Sequence, residues 1–151
     1  MKKIKIYLGS DHRGFELKEK TKQWLGELGH EYEDCGPFEY NAGDDYPDFA
    51  KAVAENVIIN EDDKGILICG SGIGIAIAAN KIKGIRAGTA SDAKQIIAAV
   101  NDEDLNVLAL AADYLDEEKA KAIIKSFLQA KFSGEERHVR RLGKIKELEN
   151  G

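Results

Sequence analysis

The chain has 151 residues, enough for one domain with a real core; 43% are hydrophobic, 32% are charged, and the formal net charge is −5. That acidic balance argues against a general nucleic-acid binder, whose footprint is basic, and no stretch approaches the roughly 20 apolar residues that span a bilayer. Two well-separated cysteines, Cys35 and Cys69, predict a reduced, cytoplasmic protein without a disulfide framework, and His12, His30 and His138 show no metal-ligand spacing.

Strand-like and helix-like runs alternate from the start. "IKIYL" (4–8) reads as a short apolar strand; the lysine-led start has too short an apolar run for a signal peptide. A helix follows, with Leu17, Thr21, Trp24, Leu25 and Leu28 on one face and Gly29 just past its end. Residues 31–35 suit a second short strand, before the turn-rich "GPFEYNAGDDY". Pro47 is placed to begin the next helix, which turns Phe49, Val53 and Val57 inward. "GILIC" (65–69) is a continuous apolar run, as in a central parallel strand covered on both faces. A glycine loop and an alanine-rich helix come next. "GIRAG" and "NVLAL" read as two more strands separated by a helix near 92–100. A helix near 116–131 buries Ile123, Ile124, Phe127 and Leu128, and a last one, near 135–149, carries Val139, Leu142 and Ile145 as a stripe.

This alternation predicts an α/β fold with helices on both faces of a parallel sheet, organised as a single domain over 1–151. Ligands of such sheets bind at the carboxyl ends of the strands, so the loops "GSDHRG", "CGSGIG", "TASD" and "LAADY" hold the candidate site.

In "ILICGSGIGIAIAANK" (66–81), a buried strand ends at Cys69, and Gly70, Ser71, Gly72 and Gly74 open a helix. Glycines let successive backbone N–H groups converge, and positive potential at a helix start suits a phosphate or an enediolate oxyanion and favours a thiolate. The plainer reading of Cys69 is a small core residue. The GxGxG spacing after the third strand is not the dinucleotide fingerprint, which leaves a nucleotide-binding module little support. Asp11 and His12 sit where the first strand gives way to a helix: there Asp11 or Ser10 could merely cap it, or the pair could serve acid–base chemistry or sugar binding. Arg137 and Arg141, four apart, share a helix face and could clamp a phosphate or simply be solvated.

Taken together, "GSDHRGFELK" (9–18), "DDYPDFA" (44–50), "GILICGSGIGIAIAANKIKGIRA" (65–87), "NVLAL" (106–110) and "RHVRR" (137–141) resemble the ribose-5-phosphate isomerase B family, which includes the galactose-6-phosphate isomerase subunits. The resemblance runs end to end. It implies a Rossmann-like three-layer α/β/α sandwich with a five-stranded parallel sheet and a C-terminal helix extending to a partner subunit. It implies an aldose–ketose isomerase acting on a sugar phosphate without metal or organic cofactor, as a homodimer or dimer of dimers with shared sites. Cys69 would move the proton between C1 and C2. Ser71 and the N–H groups of Gly70 through Gly74 would stabilise the enediolate. Asp11 and His12 would contact the sugar, with His12 near the phosphate; Tyr46 would wall the pocket. Arg137 and Arg141 would hold the phosphate from the partner subunit.

The chain departs from the family's pattern in one region. The usual His–Asn–Asp becomes Asp102–Glu103–Asp104, and Asp113 stands where many members carry a third phosphate-binding Arg. Asp102 could open the sugar ring as acid or base if burial raised its pKa, as could Asp11. A Glu103 carboxylate would repel an enediolate unless protonated or turned away, and Asp113 would repel a phosphate. The "GEERH" segment is one residue longer than the family's. These changes leave ribose 5-phosphate as the first candidate, with a hexose phosphate or a non-catalytic sugar-phosphate-binding role as alternatives.

Overall fold

The computed structural model describes residues 3–151. Strands β1 (Lys5–Ser10), β2 (Glu31–Asp34), β3 (Lys64–Cys69), β4 (Ala87–Thr89) and β5 (Val107–Ala111) form one sheet, ordered β2-β1-β3-β5-β4 with every pairing parallel. The helices are α1 (Phe15–Glu27), α2 (Tyr46–Val57), α3 (Ile73–Ala79), α4 (Ala93–Glu103), α5 (Glu117–Gln129) and α6 (Glu136–Asn150). Among the described residues no helix is long and apolar enough to cross a membrane.

The period-2 pleat divides the core into two layers. Ile6 and Leu8 of β1, Ile66 and Ile68 of β3, and Leu108 and Leu110 of β5 pack with Trp24, Ile96 and Phe127, from α1, α4 and α5. Tyr7, Leu67, Cys69, Val107 and Ala109 point the other way, onto Val53 and Ala54 of α2 and Ile75 of α3. The second layer is thin because glycine lines it. A Cβ on Gly9 or Gly65 would come within 2.8 Å of a Val53 methyl, so α2 lies almost directly on the strands.

Several local expectations hold. Gly29 follows α1 at φ +78°, and Pro47 lies in the first turn of α2. Others shift. Leu28 is exposed while Lys18 is fully buried, because Lys18 Nζ meets Asp34 Oδ2 at 2.6 Å beneath the turn that follows β2. Phe49 is half-buried, its ring beside Gly36, and Leu128 is also half-buried. Strand β4 starts at Ala87, later than the "GIRAG" reading, since Gly84 turns at φ +91° and Arg86 bonds outside the ladder. Helix α4 runs on to Glu103 before Asp104 ends it in a left-handed conformation. On α6, Val139 and Ile145 remain exposed, and only His138 is buried.

Candidate active site

β1 and β3 are neighbours in the sheet, but the connections leaving them cross opposite faces: α1 packs in one layer, α3 in the other. Such a switch opens a crevice at the carboxyl ends of the two strands. Ser10 pairs with Ile68, which sets Asp11 beside Cys69. The crevice is a cavity of about 290 Å³. Asp11, Cys69 and Ser71 line it, with Tyr46 and Tyr114 as walls and Arg13 and Asp113 at one side.

Cys69 is buried, and its sulfur accepts the N–H of Gly72 at 3.2 Å. That contact needs the loop to double back, which Gly72 permits at φ +74°. A Cβ there would stand 3.0 Å from the Leu110 carbonyl carbon and 3.0 Å from Thr89 Oγ1, so the loop is wedged against the ends of β5 and β4. Gly74 lies under Tyr46, whose Cζ would be 2.8 Å from an added Cβ. Ser71 Oγ accepts the Ile73 N–H at 3.2 Å and still borders the cavity. Helix α3 has only seven residues, so any anion preference comes more from the curled loop than from a long helix dipole.

Asp11 does cap, as the plainer reading held, but in a way that leaves chemistry possible. Its Oδ1 accepts the N–H groups of Arg13 at 3.0 Å and Gly14 at 3.1 Å, while Asp11 is also one of the residues that line the cavity. His12 is held by Asp44: Oδ1 accepts its backbone N–H at 2.9 Å and lies 2.8 Å from Nδ1. With Nδ1 donating there, Nε2 is the ring atom left for a ligand. Asp44 Oδ2 is buried without a hydrogen-bond partner.

Asp113 pairs with Arg13, so its carboxylate is not the uncompensated negative charge that the sequence led us to expect. Arg13 and Asp44 escaped the sequence reading because their partners lie 100 and 32 residues away. The only local signal was that Arg13 adjoins the Asp11–His12 pair.

Of the sequence-predicted residues, His12 and Gly72 adjoin lining residues without lining the cavity themselves, and four others stand apart from it. Helix α4 starts beyond the carboxyl end of β4 and runs back, which carries Asp102 and Glu103 toward the amino edge of the sheet. Asp102 Oδ1 accepts from Asn101 Nδ2 at 2.8 Å and lies 3.5 Å from His138 Nε2. Glu103 is exposed beside a hollow shared with Leu105 and Leu142. Arg137 pairs with Glu135 at 2.7 Å, and Arg141 is exposed on α6. A single copy of the chain therefore unites Cys69, Ser71, Asp11, Tyr46 and the glycine loop, but not Asp102, Glu103, Arg137 or Arg141.

Known proteins resemble this chain over nearly its whole length. The family model described as Ribose/Galactose Isomerase matches residues 6–145. The Mycoplasma pneumoniae protein named "Probable ribose-5-phosphate isomerase B" is 43% identical over 140 residues, covering 93% of this chain and 91% of that one. The structure of Clostridium thermocellum ribose-5-phosphate isomerase B superposes with a TM-score of 0.93 at 42% identity, over 97% of this chain and 98% of that one. That of the Mycoplasma genitalium enzyme, with bound ribulose-5-phosphate, gives 0.93 at 40% identity, over 97% of each chain. The chain belongs to the ribose/galactose isomerase family.

Proposed function

We propose that the chain interconverts ribose 5-phosphate and ribulose 5-phosphate through a cis-enediolate, as a single isomerase domain over residues 1–151 whose site a second copy completes. The observation that carries this reading is Cys69 at the strand-switch crevice, its sulfur bound by the Gly72 N–H and facing the same cavity as Ser71 and Asp11. The Cys69 thiolate takes the proton from C2 of the open-chain aldose. The C2–H electrons form the C1–C2 double bond, and negative charge moves to the C1 oxygen. The Ser71 hydroxyl faces that charge, with those loop N–H groups between Gly70 and Gly74 that are not already donated, as Gly72 is to Cys69 and Ile73 to Ser71. The thiol returns its proton to C1, the C2 hydroxyl proton passes to the C1 oxygen, and the product has a C1 hydroxyl and a C2 ketone. A proton next to a carbonyl is weakly acidic, so a positioned base and a preorganised oxyanion site are what the reaction needs.

Asp11 binds the sugar hydroxyls with the oxygen not committed to its cap. His12, held by Asp44, faces the phosphate end through Nε2, and Tyr46 closes the wall. The remaining groups come from a second copy. Arg137 and Arg141 reach the phosphate from the partner's α6, and Asp102 and Glu103 approach the sugar from the partner's α4, where Asp102 can assist ring opening. The exposed Val139 and Ile145 of α6 supply an apolar face for that assembly.

The test is proton exchange in D₂O, followed by NMR, with ribose 5-phosphate and a set of hexose phosphates. The unaltered protein should incorporate deuterium and form the ketose, and Cys69→Ala should lose both by more than about 10³-fold. Isomerisation surviving Cys69→Ala would overturn the mechanism. Binding without exchange would replace it with the non-catalytic reading, and exchange with a hexose phosphate alone would move the substrate.

A further inference from the structure

Among the described residues, the Cys69 cavity is lined by a single cationic side chain, Arg13. It lies over the first residue of the glycine loop: a Cβ added to Gly70 would be 2.7 Å from Arg13 Nε and 2.8 Å from its Cζ. Asp113 Oδ2 would be 2.7 Å from the same point, and it pairs with Arg13 Nη2.

The two partners are held very differently. The Asp113 N–H donates to the Gly70 carbonyl at 3.0 Å, and the preceding Ala112 N–H to the Cys69 carbonyl at 2.9 Å. The carboxylate is thus rooted in the loop that carries the base. Arg13 stands on a long side chain that is 58% exposed. Exposed pairs of this kind are weak and exchange readily. A phosphate monoester brings about −1.5 to −2 charges against the single charge of a carboxylate, and the guanidinium fork can take two of its oxygens.

We propose that Arg13 is this chain's own receptor for the anionic end of the substrate, and that Asp113 is a resident carboxylate which the incoming phosphate displaces from it. This rests on the sugar-phosphate reading above and adds a specificity device to it. Asp113 occupies the guanidinium of the free protein and, once displaced, remains beside the bound dianion. It therefore lowers affinity for every anion and leaves productive binding to ligands that also engage the sugar subsite.

The two residues should have opposite effects. Isothermal calorimetry would measure ribose 5-phosphate, unphosphorylated ribose and inorganic phosphate against the unaltered protein, Arg13→Met, Arg13→Lys and Asp113→Asn. Arg13→Met should weaken ribose 5-phosphate about 10–100-fold, as for loss of a charge-assisted hydrogen bond. Arg13→Lys should recover part of that loss. Asp113→Asn should tighten both ribose 5-phosphate and inorganic phosphate several-fold, without changing the affinity for ribose. A pair that merely braces the loop predicts a loss in both variants, and that result would overturn the proposal. So would unchanged affinity in Arg13→Met, or no phosphate-dependent binding by the unaltered protein. Because these are binding measurements, they remain decisive even if the D₂O assay finds no isomerisation, so the two ideas fail separately.

Discussion

The backbone N–H of Gly72 points at the sulfur of Cys69 across 3.2 Å, tying the proposed base to the loop that faces the enediolate oxygen. The same residue adopts φ +74°, and a Cβ there would meet Leu110, Thr89 and Ala111 at 3.0–3.1 Å, so neighbours would have to give way. Gly72→Ala should therefore carry two penalties, left-handed strain of about 1–2 kcal/mol and a forced shift of the loop. Gly29→Ala is the control. Gly29 has a similar φ of +78° but open space around it, so it bears the strain alone. Thermal melts should show both variants destabilised and Gly72→Ala the more so. In the D₂O assay Gly72→Ala should lose about 10²-fold or more, while Gly29→Ala stays near the unaltered rate. Equal activities in the two variants would separate the loop geometry from catalysis.

The two cysteines should be chemically unequal. Burial pushes the Cys35 thiol up to about 11, reinforced by the Glu33 and Asp34 carboxylates. At pH 8 roughly one Cys35 in a thousand is then a thiolate, and the thiolate is the reactive form. Brief iodoacetamide treatment at pH 8, read by peptide mass spectrometry, should label Cys69 and leave Cys35 untouched. Cys35 should become reactive as the pH approaches 11. Saturating ribose 5-phosphate should slow Cys69 labelling, because Cys69 lines the proposed substrate cavity. Preferential labelling of Cys35 at pH 8 would contradict this.

Acid sensitivity should concentrate at Asp34. Burial alone would raise its carboxyl, but hydrogen bonds from Lys18, the Gly36 N–H and Lys22 outweigh burial and hold it below the usual carboxylate value. A carboxyl that is lower in the folded than in the unfolded chain stabilises the fold fully above the unfolded value, near pH 4. That contribution is lost as the pH falls through the folded value. Asp34→Asn leaves the buried Lys18 without its 2.6 Å partner, which should cost about 3–5 kcal/mol at pH 7. Urea titrations from pH 6 to pH 2.5 should show the gap between the unaltered and variant proteins narrowing below pH 4. A constant gap over that range would rule out this linkage.

What was legible in the sequence divides by the range of the interaction. Gly29 after α1, Pro47 at the start of α2, and the buried runs of β3 and β5 are set by neighbours a few residues away, and all were readable. Helical spacing also pointed Leu28 inward, where the structure buries Lys18. That choice depends on Asp34, which belongs to another element. The reach of α4 to Glu103 and the late start of β4 follow from turns at Asp104 and Gly84. Neither position carries a strong local stop signal beyond Gly84 itself. At the site, the Cys69 loop and Asp11 were visible as motifs, because a strand end and its loop are contiguous. Arg13 with Asp113 and His12 with Asp44 were not, since only the folded sheet brings their loops together.

The separation of Arg141 from Cys69 within one copy gives the last prediction. If sites are completed by a partner's α6, then Cys69→Ala and Arg141→Ala each inactivate every site of their own homodimers. Mixed dimers carry both lesions in one site and neither in the other. Co-refolding the two variants at equal concentration should restore about a quarter of the unaltered activity, since random pairing makes half the dimers mixed and half their sites intact. The restored activity should bind ribose 5-phosphate with the unaltered KM, because the intact sites are complete. Light scattering run in parallel should show a dimer or larger species throughout. If the mixture remains inactive while exchanging subunits, Arg141 and Cys69 do not serve sites shared in this way. An active monomer would refute the shared site outright.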